Sequence, residues 1–382
     1  MKVVVLTGLA RTLILFRARL LEDMGNAGHQ VIACAPEDDA QIARRLSSLG
    51  VAYHAIPLAR AGLNPYSDVR FFLRLLRFLR RERPDVVFSY TIKSVVYGSI
   101  AARFAGVAGI YSMISGIGYA FADADIGRRW MPLAARALYR ASLANNRAVF
   151  FQNPDDEALF LRLGAVRDPT RAVLVNGSGV DLLHFAETPL PAGPPRFLLI
   201  ARMLKDKGIV EFVEAARVLK RRFPHVVIRL IGPVDLNPAS LRPEQIESWG
   251  REGVVEYRDW VDDVRPAIAD SSVFVLPSYR EGTPHTVLEA IAMGRPIITS
   301  NAPGCRETVR EGENGFLVPA RDVTALVKAM ERFVREPELI PQMGRRSRQI
   351  AEEKFDVRKV NQVLLETMGL IPATPTTPLP SE

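Results

Sequence analysis

"VFVLPSYREGTPHTVLEAIAMGRPIITS", Val273 to Ser300, reads as a strand, a short loop, a helix and a second strand. VFVLPS is an apolar run of strand length, Tyr279 to Thr283 form its loop, and Pro284 suits the first turn of a helix, where its missing N–H costs nothing. Apolar residues of strand character return in PIITS. Such a unit is the repeating element of a parallel sheet covered by helices. Its loop carries one acid, Glu281, and its helix a second, Glu289. The N–H groups of Gly282, Thr283 and the following turn point outward from the helix start, which favours an anion such as a phosphate. Two acids aimed at that anion would repel it. They are better placed to accept hydrogen bonds from hydroxyls on either side of it, and a nucleotide sugar has a ribose on one side of its diphosphate and a hexose on the other.

The same alternation extends outward in both directions. The first half of the chain offers VVVLTG, QVIACAP, DVVFSY, GIYSMI, AVFFQN and VLVNGSG as strands; the second offers FLLIAR, VVIRLIG, VVEYRDW, VFVLPS, PIITS and GFLVP. Between them AETPLPAGPPR, rich in proline and without periodicity, reads as a linker. The expectation is an α/β protein of two Rossmann-like, doubly wound domains, residues 1–182 and 190–354, facing a central cleft across a hinge near 182–195. Residues 355–371 read as a terminal helix free to pack back on the first domain, and 372–382 as a disordered tail. Ligands of such folds bind beyond the carboxyl ends of the strands.

Composition narrows the partners. The 382 residues carry a net charge of +8 and a pI near 9.6, a balance suited to nucleic acid, phosphorylated metabolites or an anionic membrane surface. The two cysteines, Cys34 and Cys305, lie far apart with no Cys/His cluster, which argues against a disulfide framework or a structural zinc. The amino-terminal MKVVVLTGLARTLILF reads as a buried strand rather than a signal peptide, so a cytoplasmic protein is expected. Phe104 to Ala122 is uncharged but contains four glycines and two serines, and reads as a strand and glycine loop rather than a bilayer span.

A second anion-binding element follows FLLI: Arg202 at the strand end and Lys207 before the next helix. A guanidinium fork plus an ammonium clamps a diphosphate and neutralises charge as it leaves.

Arg202 with Lys207, the Glu281-x7-Glu289 pair, EGTPHTVLEA and GRPIITSNAPGCRETV together resemble the retaining glycosyltransferases of family four, which have the GT-B fold. The specific part covers about residues 196–320, and SGVDLLHF at 178–185 is similar to the family's interdomain NGVD segment, with Ser178 in place of Asn. In the first half LFR at 15–17, RAGLNP at 60–65, SYTIKS at 89–94 and SGIGYAF at 115–121 resemble transferases that extend lipid-linked oligosaccharides. The resemblance implies that Arg202 and Lys207 hold the nucleotide diphosphate, that the Gly282 and Thr283 amides, with Pro284 and His285 beside them, meet the distal phosphate, that Glu281 contacts the donor sugar and Glu289 the ribose. Gly8 is expected to let donor and acceptor approach the first sheet closely. Arg17, Lys93, Ser115 and Gly116 fall on the acceptor side. At 114–118 the chain lacks the His or acid that many relatives have there, and front-face attack, in which the departing phosphate takes the acceptor proton, requires no protein nucleophile. Asp123-Ala124-Asp125 resembles the metal-binding DxD of another transferase fold, but no metal or other cofactor is expected.

By the same resemblance the donor is a UDP-sugar and the acceptor a polyprenyl-diphosphate-linked saccharide, reached from the inner face of the membrane. VRFFLRLLRFLRRER, Val69 to Arg83, is a basic amphipathic helix with Phe71, Phe72, Leu75, Leu76 and Leu79 on one face; it either covers the sheet or lies at an anionic lipid surface. GRRWMPLAARALYR at 127–140 is a second basic region. Two enzymatic alternatives share the fold: a soluble transferase with a metabolite acceptor, and a UDP-sugar epimerase. A basic nucleic-acid-binding protein would need stacking aromatics among its arginines, and here the aromatics sit at core spacing.

Overall fold

The computed structural model describes residues 1–58, 65–116, 133–235 and 239–373. RAGLNP except its proline, the DxD segment, most of SGIGYAF, the first part of 127–140 and all but the first two residues of the tail lie outside the described residues. The first half runs β1 (Lys2–Leu6), α1 (Arg11–Asn26), β2 (Gln30–Ala35), α2 (Ala40–Ser47), β3 (Ala52–Ala55), α3 (Pro65–Glu82), β4 (Val86–Tyr90), α4 (Ile92–Ala105), β5 (Gly109–Ile114), α5 (Leu133–Leu143), β6 (Ala148–Phe151), α6 (Pro154–Arg162) and β7 (Ala172–Leu174). Its seven strands are ordered β3-β2-β1-β4-β5-β6-β7. All pair in parallel, with Val3 of β1 opposite Val31 on one side and Val86 on the other.

The second half runs β8 (Arg196–Ile200), α7 (Ile209–Arg222), β9 (Val227–Ile231), α8 (Pro243–Arg251), β10 (Glu256–Arg258), α9 (Arg265–Ala269), β11 (Val273–Leu276), α10 (His285–Ala292), β12 (Ile297–Ser300), β13 (Gly315–Val318), α11 (Val323–Arg335), α12 (Leu339–Ile350) and α13 (Val357–Thr367). Its six strands, again all parallel, are ordered β10-β9-β8-β11-β12-β13. The central strands are buried from end to end because helices cover both faces, which is why they read as continuous apolar runs rather than alternating ones. β3, AYHA, is a half-exposed edge strand that lacks such a run, and the sequence reading passed over it.

Each sheet reverses its strand order once, between β1 and β4 in the first and between β8 and β11 in the second. A crevice opens at the carboxyl ends of strands where the order reverses. Gly8 and Thr91 follow β1 and β4; Arg202 and the Tyr279–Thr283 loop follow β8 and β11.

The chain passes between the halves twice, and the two passages are paired. Val180 N–H donates to Phe355 O at 2.8 Å and Val357 N–H to Val180 O at 3.0 Å. Gly179 makes this approach feasible: its φ is 69°, and a Cβ there would lie 2.5 Å from Val357 Cα. The segment expected to be a hinge, 182–195, is anchored on the second half at a few points and is otherwise mostly exposed. Leu182 and Phe185 belong to its core, and the fully buried Arg295 donates to Thr188 O at 2.9 Å and Pro189 O at 3.0 Å. The second passage leads into α13, whose Val360, Leu364 and Leu365 join the core of the first sheet beside α1.

α3 settles which face of the basic amphipathic helix is used. Phe71, Leu75 and Leu79 are buried against the first sheet, with Phe72 and Leu76 packed beside them. Each such side chain contributes about 1.5–3 kcal/mol by leaving water, so this face is committed to the core. What remains outside is a stripe of Tyr66, Val69 and Leu73, which are 75%, 57% and 47% exposed, with Arg70 and Arg77 also exposed. Of the uncharged stretch 104–122, Gly109–Ile114 is strand β5. No helix among the described residues is long and apolar enough to cross a membrane.

Candidate active site

Lys207 lies in a single 3-10 turn, Lys205–Lys207, between β8 and α7. Its Nζ donates to Glu281 Oε1 at 2.5 Å, joining the loops after β8 and β11 across the reversal point of the second sheet. Both side chains are about 15% exposed, at 15% and 14%, so the pair is largely shielded from water without being sealed. In that setting an ammonium interacts far more strongly with an incoming anion than it would in bulk solvent. Asp206 is half-buried beside the pair, and burial pushes its carboxyl above the ordinary aspartate range. Arg202, expected at the same clamp, stands further out, half-exposed, with Nη1 2.8 Å from Asp235 Oδ2.

Glu289 projects from α10 and is buried, its Oε1 3.0 Å from His285 Nδ1. His285 is packed 4.9 Å from the ring of Phe16, which comes from α1 of the first half. Thus His285 and Glu289 form a pair one turn apart on α10, and Pro284, expected in the first turn of the helix, stands at its N-cap. The Glu281–Thr283 loop is also held from the first half: Asn153 Nδ2 donates to Gly282 O at 2.9 Å, and Thr283 Oγ1 donates to Gln152 O at 2.9 Å. Gly282 has no room for a side chain, since a Cβ would lie 2.5 Å from Ser115 O and 2.6 Å from Gln152 Oε1.

The first-half candidates divide. Ser115 and Gly116 abut Gly282, with a Cβ on Gly116 falling 3.2 Å from the Gly282 nitrogen, so both lie at the contact between the halves. Gly8 packs against Thr91, whose Oγ1 would lie 2.8 Å from a Cβ and accepts the Gly8 N–H at 2.9 Å. Lys93 is engaged by Asp68 of α3 at 3.0 Å, and Tyr97 OH donates to the same carboxylate at 2.9 Å. Arg17, expected on the acceptor side of the cleft surface, is instead buried, 2% exposed, inside the first half. Its Nη2 contacts Met113 Sδ at 2.6 Å and its guanidinium lies 5.2 Å from the Tyr90 ring. Burial lowers its pKa to about 10, and Nε and Nη1 have no partner among the described residues. The cause is helical position: Arg17 falls on the face of α1 that also carries Leu13, Leu20, Leu21 and Met24.

Sequence reasoning missed Gln152, Asn153, Asp156 and Arg280. Asp156 is fully buried and ion-paired with Arg280, which carries the first half's α6 onto the second half's loop. QNPDD did carry a local signal, an Asn before Pro and two acids that marks a helix start, and Asn153 does cap α6. Its contact with a loop 128 residues away leaves no local trace.

Comparison with known proteins accords with this geometry. Residues 16–177 match the glycosyl transferase 4-like domain profile and residues 194–336 the glycosyl transferases group 1 profile. The chain is 26% identical over 337 residues, covering 85% of it and 87% of the relative, to the N,N'-diacetylbacillosaminyl-diphospho-undecaprenol alpha-1,3-N-acetylgalactosaminyltransferase of Campylobacter jejuni. It is also 26% identical, over 80% of each chain, to the UDP-Gal:alpha-D-GlcNAc-diphosphoundecaprenol alpha-1,3-galactosyltransferase of Escherichia coli. Among solved structures, HepE of Anabaena in complex with UDP and glucose superposes with a TM-score of 0.76 at 16% identity, covering 97% of this chain and 100% of that one. Sucrose-phosphate synthase of Thermosynechococcus elongatus gives 0.79 at 18%, covering 95% and 97%. Two parallel sheets that each reverse their strand order once, and the two profiles that between them take in most of the sequence, identify the chain as a member of the GT-B glycosyltransferases.

Proposed function

We propose that this glycosyltransferase moves a sugar, an N-acetylhexosamine or deoxy sugar, with retention of configuration, from a UDP-sugar to a polyprenyl-diphosphate-linked saccharide in the making of a surface polysaccharide or glycan. The observation that carries the reading is the Lys207–Glu281 pair, 2.5 Å apart at the reversal point of the second sheet, beside the Gly282 and Thr283 amides. A diphosphate seated there meets Lys207, the two amides and, after release from Asp235, Arg202. These charges and dipoles are in place before the bond between sugar C1 and phosphate oxygen breaks, so the negative charge that develops on the leaving group is met without reorganisation. The acceptor hydroxyl approaches from the same face, its oxygen bonds to C1, and its proton passes to the departing phosphate oxygen. Glu281, held by Lys207, accepts from donor sugar hydroxyls, and Glu289, buried on α10, from the ribose. Ser115 and Gly116, against the same loop, border the acceptor's path. The neutralising charge is assigned to side chains rather than to a metal.

The names of the two relatives support the acceptor class, and the UDP in the HepE complex supports the nucleotide. An acceptor on a lipid requires the protein to work at the inner membrane face. The exposed Tyr66, Val69 and Leu73 stripe of α3 with its arginines has the chemistry of such a contact.

The test is thermal unfolding against a panel of UDP- and GDP-sugars, followed by turnover with a polyprenyl-diphosphate sugar. One UDP-sugar should raise Tm, and Lys207→Ala should lower kcat by roughly a hundred- to a thousandfold, the scale for losing one preorganised donor. No shift with any nucleotide, or near-normal turnover in Lys207→Ala, would overturn the assignment. Turnover of the donor without acceptor to a second UDP-sugar would establish an epimerase instead.

A further inference from the structure

Asn153 is fully buried where the two halves meet. Its Oδ1 accepts the Asp156 N–H at 2.8 Å, capping α6, which turns its Nδ2 toward three oxygens: Asp156 Oδ2 at 3.0 Å, Glu281 O at 3.3 Å and Gly282 O at 2.9 Å. One side-chain amide from the first half therefore holds two successive backbone carbonyls of the second. Gly304 lies against the same two carbonyls, with φ 79°, where a Cβ would come within 2.2 Å of Glu281 O.

A trans peptide points its C=O and its N–H in opposite directions. Fixing Glu281 O toward Asn153 aims the Gly282 N–H away from it, and fixing Gly282 O does the same for the Thr283 N–H. Among the described residues neither of these N–H groups donates to another protein atom. The adjoining residue, Pro284, has no N–H, so these two are the last donors the loop presents before α10 begins.

We infer that Asn153 is a positioning residue of the donor site: reaching from the first half, it orients the Gly282 and Thr283 amides of the second half toward the distal phosphate of a nucleoside diphosphate. The inference rests on the proposed function. It adds that the phosphate cradle is complete only when the halves are together, because its orienting group and its donors lie on opposite sides of the interface. Asp156 and Arg280 support the same contact, the first by accepting from Asn153 Nδ2 and the second by pairing with Asp156.

The experiment titrates UDP and UMP into the full-length wild-type chain and into Asn153→Ser by calorimetry. Serine retains an oxygen to cap α6 but is too short to reach across the interface. UDP, which has the distal phosphate, should bind about tenfold or more weaker in the variant, as for loss of hydrogen bonds to a charged group; UMP, which lacks it, should bind as in the wild type. A merely structural role for Asn153 would weaken both nucleotides in proportion. Proportional loss, or unchanged UDP binding, overturns the inference while leaving the proposed function standing. If the wild-type chain binds neither nucleotide, the proposed function fails and this inference with it. Should Asn153→Ser not unfold cooperatively, Asn153→Asp is the second variant: it keeps the shape and the cap, cannot donate to the two carbonyls, and must show the same selective loss of UDP affinity.

Discussion

Asp206 precedes the lysine at the centre of the site and accepts the Tyr279 N–H and the Ser278 hydroxyl through its backbone carbonyl, so its place in the loop is fixed by its main chain. Its side chain is another matter: Oδ1 is buried with no hydrogen-bond partner among the described residues, and burial holds its pKa above the ordinary value of 3.8. A carboxyl with a raised folded pKa keeps its proton in the native state at a pH where the unfolded chain has released it. Native stability therefore falls as pH rises from about 3.8 through the raised folded value, and is flat above it. Asp206→Asn removes that dependence. Its Tm should match the wild type near pH 3, exceed it increasingly as the pH rises, and hold a constant advantage at neutrality. Thermal scans from pH 3 to 8 check this, and a difference independent of pH would show that the Asp206 charge is not what the native state opposes. The buried charge next to Lys207 is the kind of local cost that persists where electrostatics serve a site.

At the scale of elements, the reading from sequence succeeded where a feature is local and failed where it depends on a distant neighbour. VFVLPS, PIITS and their counterparts are legible as strands because both faces are buried, and Pro284 marks the start of α10 by chemistry confined to one turn. That Lys207 and Glu281 lie near one another was legible because loops after parallel strands converge at a predictable edge, and Glu289 follows on the helix after that loop. Arg17 was given to the acceptor side by the resemblance of LFR alone, and only the tertiary structure shows that its face of α1 is covered. α3 shows the same limit. Its periodicity gave the apolar face correctly but left its partner open, and the partner is the sheet. Lipid contact must then use the outer stripe. Replacing Tyr66 and Leu73 with Ser, and Arg70 and Arg77 with Gln, should weaken binding to vesicles containing anionic lipid about tenfold or more at low salt and leave Tm within a few degrees, since none of the four is buried. Unchanged sedimentation with vesicles would remove this helix from any membrane contact.

Over the whole molecule, the last helix belongs to the first sheet. Asn361 Nδ2 donates to Asp23 Oδ2 at 2.7 Å, and His29 Nε2 meets Leu370 O at 2.6 Å. Val360, Leu364, Leu365, Met368 and Leu370 fill the core over α1 and α2. A chain ending at residue 355 should keep the second half folded and lose cooperative unfolding of the first, which circular dichroism melts of the truncated and full-length chains compare directly; two unchanged transitions would make α13 dispensable. The paired passages at Val180 and Asp356 carry a further consequence for how the protein is made. On the ribosome the first half emerges early yet cannot be finished, for its closing helix is synthesised only after the whole of the second half. The second half is thus made while its neighbour still presents an apolar face that α13 will cover. The half that is synthesised first is therefore the one whose core is completed last.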